Sequence, residues 1–216
     1  MMSEPQTSRV RDSTPEDLAP GGMGWEKQLR LEITRTIQNG RGRWSRAMAV
    51  VAWIHLAAFT LCHVLHKPGH ESDPRHLLIW FLELVAVFVA MRLVVGKGWF
   101  WTPPAIHLIG RLWLTFLILS FSLATLNHVI GWQTLWFKAA WGTLSSFLFA
   151  TLAWLITPRY LILAVQMYVT ALLMARYMDW NNLIYGGSWW AALMAISLML
   201  RKIERASALA GHSGVS

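Results

Sequence analysis

Leu77-Leu78-Ile79-Trp80-Phe81-Leu82-Glu83-Leu84-Val85-Ala86-Val87-Phe88-Val89-Ala90-Met91-Arg92-Leu93-Val94-Val95 carries two charges, Glu83 and Arg92, in an otherwise apolar run. A bilayer hydrocarbon core about 30 Å thick is crossed by about 20 helical residues, so residues 77–95 read as a transmembrane helix. A helix is also the form that satisfies its own backbone polar groups inside lipid. The same reading extends outward from this block to residues 44–65, 105–127, 136–156, 160–178 and 183–200. Breaker signals separate several of them: Lys67-Pro68-Gly69, Gly96-Lys97-Gly98, Pro103-Pro104 and Thr157-Pro158-Arg159. The expected fold is therefore all-α, a polytopic integral membrane helical bundle of about six transmembrane helices. Short connections make neighbouring helices antiparallel.

Composition agrees. Of the 216 residues 55% are hydrophobic and 14% charged, against about 25% charged in soluble domains. The net charge of +8 invites a nucleic-acid reading, but no aromatic–basic interleaving accompanies it, and no nucleic-acid partner is expected. The positive charge instead follows the spans. Arg30, Arg35, Arg41, Arg43 and Arg46 precede the first one; Arg92 and Lys97, then Arg159, then Arg201, Lys202 and Arg205 flank alternate ends. The other ends hold Lys67, Arg75, Lys138 and Arg176. Positive-inside bias puts both termini in the cytoplasm, and a bacterial cytoplasmic (inner) membrane is the expected location. Several of the 14 Trp residues, among them Trp44, Trp99, Trp132 and Trp180, fall at span ends, where indoles favour the headgroup layer. The lone Cys62 excludes an internal disulfide.

Residues 1–23 are rich in Ser, Thr, Pro, Gly and acidic groups and are expected to be disordered. They do not resemble a cleavable signal peptide. Residues 24–40 differ: Trp25, Leu29, Ile33 and Ile37 recur every fourth position, the pattern of a short amphipathic helix. It can lie at the membrane interface or pack on the protein's cytoplasmic side. Residues 201–216 form a short basic cytoplasmic tail.

Three groups of residues could carry chemistry. His63 and His66 lie three apart on one helical face, and His70 and His128 belong to the same expected outer surface. They are candidate ligands for zinc or copper, though the spacing matches no standard site and an interfacial polar loop is the alternative. A haem between facing histidines draws on His55, His63, His107 and His128, but His107 and His63 fall at opposite faces. No cofactor is the leading expectation. The third group is Glu83, His55 and Arg111. A carboxylate inside a span must face protein or water, or stay protonated. His55 lies at similar depth, so a His55–Glu83 hydrogen bond is expected, either as a proton or ion site or as a neutral pair fixing helix register. Arg111 could snorkel or approach Glu83. Gly142, Thr143, Ser145 and Ser146 read as a packing surface, as do Ser120, Ser122, Ala124 and Thr125; Gln166 reads as helix-to-helix glue. Gly186-Gly187-Ser188 suggests a kink or re-entrant turn, and Asp179-Trp180-Asn181-Asn182 a solvated outer turn.

Roughly residues 100–205 resemble the multi-helix membrane region that follows the kinase domain in many planctomycete serine/threonine protein kinases. The features that carry this are His107-Leu108-Ile109-Gly110-Arg111-Leu112-Trp113, Leu144-Ser145-Ser146-Phe147, Ala171-Leu172-Leu173-Met174, and the Gly-Gly-x-Trp-Trp entry to a helix ending Arg201-Lys202-Ile203. The kinase half is absent: there is no Gly-rich loop, His-Arg-Asp or Asp-Phe-Gly motif. The resemblance implies a stand-alone sensory or anchoring module with no catalytic residue. The expected function is a non-enzymatic anchor, sensor or complex subunit, with the lipid bilayer and other membrane subunits or a second copy as partners. The alternatives are a small proton- or ion-coupled transporter using Glu83, His55 and Arg111, and a metal- or haem-binding redox subunit.

Overall fold

The computed structural model describes residues 22–40, 42–65, 74–97, 99, 104–129 and 136–212. They form seven α-helices: α1 (Gly22–Asn39), α2 (Arg43–Leu65), α3 (Pro74–Val94), α4 (Pro104–Val129), α5 (Trp136–Leu155), α6 (Tyr160–Arg176) and α7 (Asn181–His212). A 3-10 turn, Met178–Trp180, links the last two. The described residues contain no strand. Among the described residues four stretches are long and apolar enough to cross a membrane: Arg43–Leu65, Arg75–Val94, His107–Asn127 and Met178–Ala206. The all-helical class therefore holds, with four helices of that kind where about six spans are expected. The two others, α5 and α6, are the more compromised in lipid. At 17 residues α6 is short, and α5 carries Lys138, Gly142, Ser145 and Ser146.

Close packing explains those small residues. A Cβ added at Gly142 would lie 2.8 Å from the Ala171 Cα, so α5 and α6 meet backbone to backbone. Ser146 Oγ donates to the Ala164 carbonyl at 2.8 Å across the same seam. Between α6 and α7, Gln166 Nε2 donates to the Ser188 carbonyl at 2.8 Å and Thr170 Oγ1 to Ser188 Oγ at 2.7 Å. The pairing of α2 with α7 uses the same device: Ala47, Ala52 and Ala192 are fully buried, and a Cβ at Gly186 would strike the Phe59 Cβ at 2.6 Å. Gly186 and Gly187 thus lie inside a continuous α7, with no break or re-entrant turn. Such close approach lets dispersion and interhelical hydrogen bonds hold helices together where lipid removes the hydrophobic drive.

One end of the bundle gathers the basic residues. There Gly42, at φ 80°, turns the chain from α1 into α2. Ser45 Oγ lies 2.8 Å from Glu204 Oε2, and Ser197 Oγ donates to the Ser45 carbonyl at 2.7 Å. Ile33 and Ile37 of α1 are buried against Ile109, Ile156, Leu200 and Ile203. Of the two expected placements, α1 adopts the one packed on the bundle end. Residues 201–212 continue α7 as helix. At the opposite end the turn expected to be solvated is half right: Asp179 and Trp180 are exposed, yet Asn181 and Asn182 are buried. The reason is Lys138, itself buried, whose Nζ reaches Asn181 Oδ1 at 3.4 Å. Residues 1–21, where disorder is expected, lie outside the described residues.

The α5–α6 seam yields a contrast of two glycines. Gly142→Ala is expected to lower stability in detergent micelles by about 1–3 kcal/mol through overpacking. Gly187→Ala has open space around it and should be neutral or slightly stabilising. Thermal or denaturant unfolding of the two variants checks this; equal behaviour contradicts the seam.

Candidate functional site

The site starts from α3. Its apolar length makes Glu83 the acid that has to be accommodated, and the partner comes from α2. His55 Nδ1 and Glu83 Oε1 are hydrogen-bonded, with side chains 16% and 11% exposed. Burial of an acid in lipid is tolerated when a partner and hydrogen bonds replace its water. Arg111 does not join the pair; it is exposed on α4 and, among the described residues, the Glu83 carboxylate forms its ion pair with His55.

The imidazole is held by rings as well as by the carboxylate. Its centroid lies 4.6 Å from Phe59, 5.5 Å from Trp189 and 6.0 Å from Tyr185. Those rings are themselves fixed by one hydroxyl. Fully buried Ser145 donates from Oγ to the Trp141 carbonyl at 2.8 Å. Its single proton is thereby used, so it accepts from Tyr185 OH at 2.9 Å and from Trp189 Nε1 at 3.2 Å. Ser145 reads from sequence as a packing residue; in the fold it is the node that orients two aromatic walls. Sequence spacing gives no sign of this, because its partners are 40 and 44 residues away.

All of this borders a cavity of about 880 Å³, within the roughly 300–1,000 Å³ of small-molecule sites. Its walls come from α1 to α5 and α7, with Arg159 and Tyr160 added where α6 begins. They are mostly apolar, with Val87 and Met91 of α3, Phe116 and Leu117 of α4, and Leu148 and Leu193 behind them. The cavity exists because α4 is loosely seated: 6% of its apolar window is buried, against 33% for α7. Between α3 and α4 the gap is bridged by rings, Phe88 to Trp113 at 5.8 Å.

His55 Nε2 and Ser120 Oγ, both buried at the cavity wall, have no hydrogen-bond partner. Ser120 is unlike Thr115, Thr125 and Ser145, whose hydroxyls bond the carbonyl one turn back in their own helix. Unpaired buried polar groups are costly, about 1–3 kcal/mol each, and both atoms are closed off by the side chains around them. The imidazole nitrogen engaged by Glu83 is Nδ1. Gly110 adds to this. It lines the cavity, and an added Cβ there meets nothing, so its place in a helix interior is not explained by helix packing.

The outer histidines are less connected. His63 stacks on Trp180 at 5.3 Å with Nδ1 buried and unpartnered. His76, at the start of α3, meets the Cys62 carbonyl through Nε2 at 3.3 Å. His66, His70 and the His128 side chain lie outside what the structure describes. Among the described residues no three His, Cys, Asp or Glu side chains converge on a metal-sized space. His107 lines the cavity near Arg111, far in sequence from His55. No protein family, curated protein or solved structure matches the chain.

The pair itself is testable as a unit. His55→Leu and Glu83→Leu should each destabilise the bundle by about 1–3 kcal/mol by orphaning the other polar group. The double variant should regain most of that loss, since well-packed apolar replacements of a buried pair are near neutral. A double-mutant cycle on unfolding in detergent reads this directly, and additive losses would show the two do not depend on each other.

Proposed function

We propose that the chain is a non-enzymatic multi-pass membrane protein that binds a largely apolar, membrane-soluble ligand in its central cavity and acts as a sensor or complex subunit. The observation that carries this is the cavity itself, whose lining residues include His55 and Ser120, each with a buried unpartnered polar atom behind the wall. A half-open apolar cleft of that size suits a small-molecule site lined by apolar and aromatic side chains. The six apolar helices α2–α7 act together as the membrane domain, with both termini cytoplasmic in a bacterial inner membrane. Supporting this orientation are the arginines gathered at the α1 end. The resemblance of residues 100–205 to kinase-attached membrane regions suits a sensory module.

A second reading is a proton- or ion-coupled carrier. It is favoured by one observation: Glu83, His55 and Arg111 all line the same cavity. It requires that Glu83→Gln abolish flux in proteoliposomes.

Two measurements check the leading reading. Protein purified in mild detergent should release a lipophilic compound on solvent extraction at about one per chain. Gly110→Phe, which fills open space, should reduce that yield at least several-fold while the protein still folds. Equal yields from both contradict a cavity ligand. For orientation, Asp179→Cys in a Cys62→Ala background should react with an impermeant maleimide in intact cells; reaction only after lysis inverts the topology.

A further inference from the structure

The charges on the cavity wall are sorted by position. At the α1 end they are all basic: Arg30 of α1, His107 and Arg111 of α4, and Arg159 at the turn into α6. Among the described residues the sole acid on the wall is Glu83, already bonded to His55. Arg30, Arg111 and Arg159 come from segments far apart in sequence. Their segments meet at one apolar cluster, in which Ile109 and Ile156 pack on Ile33 and Ile37, so all three arginines stand toward the same end of the bundle. Among the described residues none of the three arginines is in an ion pair. All three side chains are exposed, and so open to an anion from outside the protein.

Beyond this basic mouth the cavity is long and apolar. On α2 it runs from Trp44 to Phe59, a rise of roughly 22 Å for a helix. The bridging of α3 and α4 by rings, with α4 scarcely buried, leaves a side open toward lipid. A long apolar slot with guanidinium groups at one end matches one class of molecule in shape and charge. Arginine binds carboxylates and phosphates through paired charge-assisted hydrogen bonds.

We infer that the cavity takes a single-chain amphiphile with an anionic head, its carboxylate or phosphate held by Arg30, Arg111 and Arg159 and its chain lying against His55 and the α3–α4 wall. This rests on the reading of the cavity as a ligand site. In it α1 is the closing element, since it brings Arg30 to the mouth and is anchored there by Ile33 and Ile37.

The test uses the full chain in an uncharged maltoside detergent. Doxyl-labelled stearic acid and its methyl ester are titrated while tryptophan fluorescence is followed; sodium acetate and an anionic two-chain phospholipid serve as competitors. The acid should bind about tenfold more tightly than the ester, the ratio expected for one or two charge-assisted contacts. Acetate and the two-chain lipid should compete poorly. The triple variant Arg30→Gln, Arg111→Gln, Arg159→Gln should bring the acid down to the affinity of the ester and leave the ester unchanged, which also certifies its fold. Gly110→Phe should weaken both. Equal binding of acid and ester by the wild type overturns the anionic head but keeps the cavity site. Full acid preference in the triple variant overturns the assignment of the arginines. Effective competition by the two-chain lipid, with binding unaffected by Gly110→Phe, places the anion on the outer surface and overturns the proposal. Quenching by neither probe overturns the cavity reading together with this one.

Discussion

A carboxylate in the middle of an apolar helix constrains everything around it. Glu83 sits between Leu82 and Leu84 in a stretch with no other acid, and it is satisfied by His55 Nδ1 from the neighbouring helix. That bond ties α2 to α3 and leaves the second imidazole nitrogen buried without a partner. The imidazole in turn is positioned by Phe59, Tyr185 and Trp189, and the latter two are oriented by Ser145. A polar group placed inside a membrane bundle thus recruits a polar, hydrogen-bonded second layer, which low dielectric makes both strong and demanding.

The bundle divides the work between tight and loose helices. Close packing at Gly142 against Ala171 and at Gly186 against Phe59 holds α5 to α6 and α7 to α2. The loosely seated pair, α3 and α4, meets through aromatic side chains such as Phe88 and Trp113. The division makes physical sense for a binding protein. Rigid elements fix the polar atoms, and the cavity sits where packing is weakest, so admission of an apolar ligand need not disrupt the close seams. Burial of hydrocarbon there contributes about 25 cal/mol for each Å² removed from water, less for a ligand arriving from lipid.

Much of this architecture is legible in the amino-acid sequence. The run from Leu77 to Val95 specifies a helix by length and apolarity alone, and equal depth in adjacent antiparallel spans is enough to pair His55 with Glu83. Gln166 as glue follows from a single polar amide in an apolar span, and the fold uses it so. Other features depend on contacts between distant segments and leave no local trace. Lys138 reads as a loop cation, yet it is buried beside Asn181 because the α5 and α7 entries meet. Ser145 looks like its neighbour Ser146 in sequence, but only the fold shows that it serves two rings. The cavity is the extreme case: it is the absence of close packing between α3 and α4, and Arg30, Arg111 and Arg159 line it together only because the fold brings their segments to one end.

An occupied cavity behind His55 is tested most directly by an experimental density map of the protein in lipid nanodiscs. Elongated density between α3, α4 and α7, beside the His55 side chain and extending toward Arg111, is the predicted result. A map in which α3 and α4 close on each other, with side chains filling the space and His55 Nε2 bonded to a protein atom, would contradict it.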